Sequence, residues 1–553
     1  MSVLAPSMSR LPRSNRPGLS TAGLVLAALV SLPLLAVLLA AAVPAGPVWA
    51  HIAATTLPEM LGNSVMLAGL VAVMAGSAGA LTAWLVTACR FPGHRLLEVA
   101  LLLPLAMPAY VSAYAYTWLL DAAGPVQAGI RDATGLSWRE MTWFPEIRSL
   151  PGAALVLAMV LYPYVYLLCR SAFLSQSTCL VEVSRTLGHS LGHTFLRVAL
   201  PLARPALAAG LGLALMEVLA DFGTVQHFGV RTLTTGIYET WFGLEDRGAA
   251  SQLAAALLGC VAMLVLLERL ARGGRRFHPT TTRHPPFRPV ALRGLRGAAA
   301  AACCLTPVLL GFALPAGTLF WLMLEGGDPL SFGKLLPFAT NSLLLSGVTA
   351  VLAVMLAAVL AWGARLSTDA APRWALRIAG LGYALPGSVI AVGTLMPFGL
   401  FDNALDAWTR ENLGVSVGLV LSGSIAALVF AYLVRFMAVA LGALESGLAR
   451  LKPSMRDAAR CLGASGSRAV WRVELPLARG AMLSAGILVF VDTMKELPAT
   501  LIIRPFNFDT LAIRVYTLAS DERLTEASTG ALLIVLVGLL PLWVLTRAMR
   551  RPS

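Results

Sequence analysis

Glu182-Val-Ser-Arg-Thr-Leu-Gly188 and Asp457-Ala-Ala-Arg-Cys-Leu-Gly463 are two copies of one pattern, one in each half of the chain. After nine further residues each is followed by a second matched motif, Val198-Ala-Leu-Pro201 and Val473-Glu-Leu-Pro476. An acid, a glycine six positions on and a Leu-Pro at fixed distance therefore occur twice. Both copies lie between long apolar stretches. A polar segment kept twice among such stretches needs a reason outside the bilayer, and docking of a soluble partner is the reading that accounts for it.

The surrounding composition is that of a membrane protein. The chain is 58% hydrophobic and 13% charged, against about 25% charged in a soluble domain. Charge-free runs such as Ala22–Pro44 and Ser64–Ala88 reach the roughly 20 residues a spanning helix needs, since lipid satisfies no exposed backbone polar group. Twelve spans are expected, at about 22–44, 64–88, 99–120, 152–169, 203–220 and 250–267 in the first half. In the second half they fall at about 298–323, 342–362, 378–400, 415–434, 480–494 and 527–545. The first run follows Arg10, Arg13 and Arg16 but is too long for a signal peptide's apolar region, and reads as a retained helix.

The net charge of +14 is concentrated in short segments between spans, among them Arg170 through Arg197, Arg269 through Arg296 and Arg435 through Arg472. The positive-inside rule places these in the cytoplasm, with both termini, and explains the charge without nucleic acid. Both repeated loops then face the cytoplasm. Isolated acids such as Glu59, Asp121, Asp402 and Asp509 fall on the opposite side. The seven cysteines include no CxxC pair and read as small buried hydrophobes.

The repeat extends past the loop. Asn63-Ser64, Gly69, Trp84 and Pro108 match Asn341-Ser342, Gly347, Trp362 and Pro386, all at one constant offset. The loops match at a slightly shorter offset, and a small gap between the third span and the loop reconciles the two. The chain divides into a tail (1–21), a first six-span unit (22–268) with its loop at 182–201, and a basic linker (269–297). A second six-span unit (298–547) follows, with its loop at 457–476, and a short tail (548–553). The linker carries eight arginines and Pro279, Pro285, Pro286 and Pro289, and suits a surface near anionic headgroups. Units with an even number of crossings are parallel repeats, and the translocation path belongs at their interface.

Each loop predicts a helix, a turn at Gly188 or Gly463, and a second short helix whose apolar face in the first copy is Phe195, Val198 and Ala199. Leu-Pro then opens the next membrane helix. This pattern resembles the EAA loop of binding-protein-dependent ABC importer permeases. In that family the loop forms the coupling helix that enters a cleft on the ATPase subunit. The three letters read Glu182-Val183-Ser184 and Asp457-Ala458-Ala459 here. The carboxylate is kept, though shortened in the second copy, and Gly188, Leu200-Pro201, Gly463 and Leu475-Pro476 are intact. The resemblance implies an all-α type I importer permease of MetI-like fold, two units fused in one chain, in a bacterial inner membrane. It also implies two ATPase subunits, a homodimer, that hold ATP and magnesium, and a separate substrate-binding protein. No cofactor is expected on this chain.

Lys495-Glu-Leu-Pro-Ala-Thr500, the stretch on to Tyr516, Ala519-Ser-Asp-Glu-Arg523 and Ala220-Asp-Phe-Gly-Thr224 resemble ferric-iron importer permeases. Permeases for thiamine, polyamines or phosphonates share parts of these segments. A gradient-driven secondary transporter also accounts for twelve spans, but not for two matched loops. A membrane enzyme would need a catalytic constellation, which is not visible. Ionisable residues in or beside spans are costly and point to function: Glu217 and Asp221 by the fifth span, and Asp492, Lys495 and Glu496 by the eleventh, are the candidates for a gate or path lining. Tyr110, Tyr114 and Tyr116 face the path or form an aromatic belt. No metal-ligand spacing occurs. His189 and His193 lack the general base of a zinc protease, since Ser190 stands in its place. Gly327–Lys334 lacks phosphate-loop spacing, so ATP must be hydrolysed by a partner.

Overall fold

Small residues let the helices approach. A Cβ on Gly79 would lie 2.7 Å from Val165 Cβ and 2.9 Å from the Tyr162 carbonyl, so helix Leu57–Ala88 packs backbone-close on helix Leu150–Ser175. In lipid, where no hydrophobic force drives helices together, such contact is the main source of association. Leu67, Val71, Ala83, Leu157, Tyr162, Val165 and Ala214 fill the core around it. The structure is a computed structural model and describes residues 17–43, 46–176, 184, 186–272, 289–326, 331–366, 370–449, 451 and 453–550.

Ten helices among these residues are long and apolar enough to cross a membrane, and two bent helix pairs raise the count to twelve. Every expected span has a counterpart. The bent pairs are His94–Ala106 with Ala109–Thr134, at 94°, and Leu191–Leu202 with Arg204–Ala220, at 75°. The expected span 99–120 is thus broken at Pro108, which sits extended at the start of its helix and has no N–H to continue the preceding one.

The boundaries of two later spans move. Pro386 opens helix Gly387–Leu413, whereas a span at 378–400 is the expectation. The residues before it form a separate amphipathic helix, Ala370–Ala379. Residues 415–424 are loop rather than span, and the next helix is Ile425–Ala449. Asp402 and Asp406 hold that loop by accepting from the Leu421, Ser422, Val417 and Gly418 amides at 2.7–3.1 Å. Arg435, expected in a cytoplasmic loop, lies inside Ile425–Ala449. It is buried, with its guanidinium over the Phe436 ring.

Packing divides the chain differently from the repeat. One compact unit comprises Met1–Leu32, Gly347–Tyr383 and Tyr432–Phe490; the other comprises Pro33–Ser346, Ala384–Ala431 and Val491–Ser553. Each mixes segments of both sequence halves. In the smaller unit Gly23 faces Ala375 and Leu360. In the larger, Tyr116 donates to the Leu310 carbonyl at 2.7 Å, and Gly538 lies against Ala106. The end of the basic linker is tied down: Val290–Ala291 pairs in parallel with Cys89–Arg90, and Leu292 N–H donates to the Arg90 carbonyl at 2.8 Å. The other end is helical, since helix Arg247–Arg272 runs into the linker.

The repeat persists in local hydrogen bonding. Asn63 Nδ2 donates to the Arg231 carbonyl at 2.9 Å, and Asn341 Nδ2 to the Asp509 carbonyl at 3.0 Å. Ser64 Oγ accepts from Leu233 N–H, and Ser342 Oγ from Leu511 N–H. Donors and acceptors alike are displaced by the same offset that relates Asn63-Ser64 to Asn341-Ser342, which three extra residues between Ile502 and Asp509 restore after the loop's shorter one.

Candidate functional site

Two constellations stand out. The first is the pair of loops. Gly188 has φ +81° and Gly463 φ +84°, the left-handed backbone that ends a helix and that residues with a Cβ resist. Ser190 Oγ then accepts from His193 N–H at 3.2 Å, and Ser465 Oγ from Arg468 N–H at 3.4 Å, capping the second short helix. Each second limb passes through one π-helical turn, Phe195–Ala199 or Val470–Glu474, before its Leu-Pro. The result in the second copy is a helix–turn–helix elbow, and in the first copy Ser184 and Thr186 are helical ahead of the same turn.

In the first copy Leu-Pro does not open the membrane helix, contrary to expectation. Helix Leu200–Leu202 ends at Ala203, and Arg204–Ala220 starts at a sharp bend. Pro205 explains it, because it has no N–H for the Pro201 carbonyl. The second copy has Gly480 there, and Leu475–Met494 runs unbroken.

Of the residues singled out by sequence, Glu182 lies outside the described residues. Asp457 and Ala458 are exposed, Ala459 is half-buried, and Pro201 and Pro476 are exposed beside half-buried Leu200 and Leu475. Sequence reading missed the large apolar side chains at the elbow surface. Leu187 and Leu462 are 70% and 89% exposed, and Leu196 and Trp471 are 60% and 70% exposed. The members of each pair occupy equivalent positions of the repeated loop. The pairing was legible in the aligned repeats; the exposure was not.

The elbows are held by different chemistry. In the first, Ser184 Oγ and Thr194 Oγ1 are 2.9 Å apart across the two limbs, and the Trp84 ring packs on Phe173 and Phe195 at 5.5 and 5.7 Å. In the second, Trp362 Nε1 donates to Glu474 Oε2 at 2.8 Å, and Arg456 pairs with the same carboxylate. Arg365 adds bonds to the Leu448 and Leu451 carbonyls at 2.5 and 2.7 Å. Glu474 is buried. In the sequence it stands out only as part of the repeated motif.

The second constellation gathers all five candidate path residues into the larger packing unit. Asp221 accepts from Thr224 N–H, Val225 N–H and the Thr224 hydroxyl at 2.9–3.1 Å, capping helix Gly223–His227. Glu496, its equivalent in the second copy, accepts from Ala499 N–H, Thr500 N–H and the Thr500 hydroxyl at 2.8–3.1 Å, capping Pro498–Ile503. The longer glutamate reaches the threonine one residue further along. Lys495 pairs with Asp492 at 2.9 Å rather than with a glutamate, and Glu217 is within its electrostatic reach. The two capped turns meet: a Cβ on Gly223 would fall 2.6 Å from Tyr110 Cβ and 2.9 Å from Leu497 Cδ2. Phe222 packs against Tyr238 and Tyr516. Tyr110 and Tyr114 are buried here and do not belong to an aromatic belt.

The family described as binding-protein-dependent transport system inner membrane component matches this chain twice, over residues 75–273 and 350–551. The chain belongs to that family. It is therefore a multi-pass inner-membrane permease of an ABC transporter, with two permease domains fused in tandem. Among its relatives is the Fe(3+)-transport system permease protein FbpB 2 of Haemophilus influenzae, 27% identical over 88% of this chain and 90% of the relative. The ferric transport system permease protein FbpB of Actinobacillus pleuropneumoniae is 22% identical over 87% and 69%. The molybdenum transport system permease protein ModB of Escherichia coli is 29% identical over 36% of this permease and 86% of its own length.

Proposed function

We propose that this permease imports ferric iron, delivered by a substrate-binding protein and driven by a homodimer of ATPase subunits that hold ATP and magnesium. Glu182, Gly188 and Leu200-Pro201 in the first elbow, and Asp457-Ala458-Ala459, Gly463 and Leu475-Pro476 in the second, form the two coupling sites. The observation that carries the docking role is the matched exposure of Leu187 with Leu462 and of Leu196 with Trp471. Apolar side chains repeated in this way on polar loops mark an interface. Closure of the ATPase pair on nucleotide moves both elbows, and the capped turns at Asp221 and Glu496 part or close in response. This is coupling of a partner's state to a two-state membrane element.

The iron assignment is supported by the likeness to the two ferric permeases along most of the chain. Glu217, Asp221, Asp492, Lys495 and Glu496 form the gate. The test is Leu187→Asp combined with Leu462→Asp in the assembled transporter. Loss of ATPase co-purification and of ferric uptake into vesicles is expected. Retention of both would refute docking through the elbows, and uptake of another cargo in place of ferric iron would refute the substrate.

A further inference from the structure

Buried polar atoms without a partner are rare in folded proteins and ask for an explanation. Tyr110 Oη, Tyr114 Oη and His227 Nε2 are three such atoms, and their side chains form one cluster. Tyr110 and Tyr114 are one turn apart on helix Ala109–Leu120, with ring centroids 5.8 Å apart. They are 5% and 1% exposed. The His227 ring stands edge-on to Tyr114 at 4.6 Å. Glu496 is within electrostatic reach of Tyr110, and Asp221 and Tyr516 of Tyr114. Arg148 and Asp121, near His227, form an ion pair with each other at 2.9 Å.

The repeat supplies an internal control. Ser388, itself a buried hydroxyl without a partner, and Val392 stand where the second copy would carry Tyr110 and Tyr114, and Ile502 where it would carry His227. The same helices form there without a phenol or an imidazole, so the fold does not demand these groups. Packing alone would be served by apolar rings, which leave no polar atom unsatisfied.

The charge around the cluster selects the ligand. Glu496 lies within electrostatic reach of Tyr110, Asp221 of Tyr114 and Glu217 of Asp221, whereas the cation near His227, Arg148, is paired with Asp121, and Lys495 is paired with Asp492. This field repels an oxyanion and attracts a cation. Phenol and carboxylate oxygens are hard donors, and imidazole suits iron as well. We propose that Tyr110, Tyr114 and His227 form a transit site in the translocation path for a hard, oxygen-seeking metal cation. The site deepens the iron-import reading and rests on it for the identity of the natural cargo. Gly223 is wedged between Tyr110 and Leu497, with no room there for a Cβ.

The test uses the complete transporter in lipid vesicles, with ferric iron supplied on the binding protein. Tyr110→Phe combined with Tyr114→Phe removes two oxygens and keeps both rings. Uptake is expected to fall at least tenfold while ATP hydrolysis stimulated by the loaded binding protein stays within twofold. Tyr162→Phe is the control, because that phenol is also buried and unpartnered but faces Tyr166 and Cys304; its uptake should stay within twofold. As a second readout, terbium(III) luminescence sensitised by tyrosine should saturate on the wild-type complex and disappear in the double variant. Unchanged uptake with unchanged terbium emission overturns the site, as does an equal loss in Tyr162→Phe. A wild type that carries no ferric iron yet binds terbium through these tyrosines refutes the iron assignment and leaves the site standing.

Discussion

At the first elbow Trp84 rests on Phe173 and Phe195, whereas at the second Trp362, its equivalent in the repeat, donates to Glu474 and shares that carboxylate with Arg456. The turn glycines, the capping serines and the exposed apolar pairs are alike in both. One backbone design is thus stabilised once by ring packing and once by a buried ion pair. Ring packing is weakly directional and tolerates small shifts, and aromatic pairs add about 0.5–1.5 kcal/mol beyond burial. A buried pair is directional, and losing one member leaves an uncompensated charge. The second elbow should therefore be the stiffer and the less forgiving of change.

The largest expected effect comes from Glu474→Ala. It strands the Arg456 guanidinium and the Trp362 N–H, and should destabilise the second elbow by about 3–5 kcal/mol. Hydrogen exchange over 453–474 in the assembled transporter should rise sharply while 186–202 stays protected. Equal protection of both segments would erase the proposed difference. Phe195→Ala comes next. The ring is half-buried, so about 2 kcal/mol is expected, below the 3–5 of a fully buried phenylalanine. Its effect should be confined to the first elbow, and thermal unfolding together with the same exchange experiment reads it.

Gly188→Ala and Gly463→Ala address what the elbows share. Each forces a Cβ into the left-handed region, at about 1–2 kcal/mol, and the two costs should agree within about 0.5 kcal/mol. Unequal costs would mean that the two turns are not equivalent. The smallest effects belong to Ser190→Ala and Ser465→Ala, at about 1 kcal/mol or less, for loss of one capping bond. The first should be slightly the larger, since its bond is 3.2 Å against 3.4 Å.

Much of this was legible in the linear chain because the relevant physics is local or repeats. Charge-free runs mark spans wherever lipid excludes unsatisfied backbone. Gly188 and Gly463 mark turns because few other residues accept that φ, and the spacing between the two copies survives in sequence and hydrogen bonding alike. Asp221 and Glu496 stand out in the sequence as costly ionic groups, whereas their work as caps is set by the fold. Other features depend on partners far along the chain. Arg435 reads as a loop cation, but neighbouring helices bury it. Residues 415–424 read as apolar span, yet Asp402 and Asp406 hold them as loop through amides 11–20 residues away.

By itself, then, the order of residues determined an all-helical membrane permease with two elbows, since span length, helix-ending glycine and repeat spacing are properties of short segments. Only the tertiary structure decided that a buried glutamate anchors one elbow and aromatic rings the other, and that two tyrosines and a histidine meet beside the capped acids. Those outcomes are set by which side chains share a buried volume. Helices from distant parts of the chain create that volume together, and no single segment encodes it.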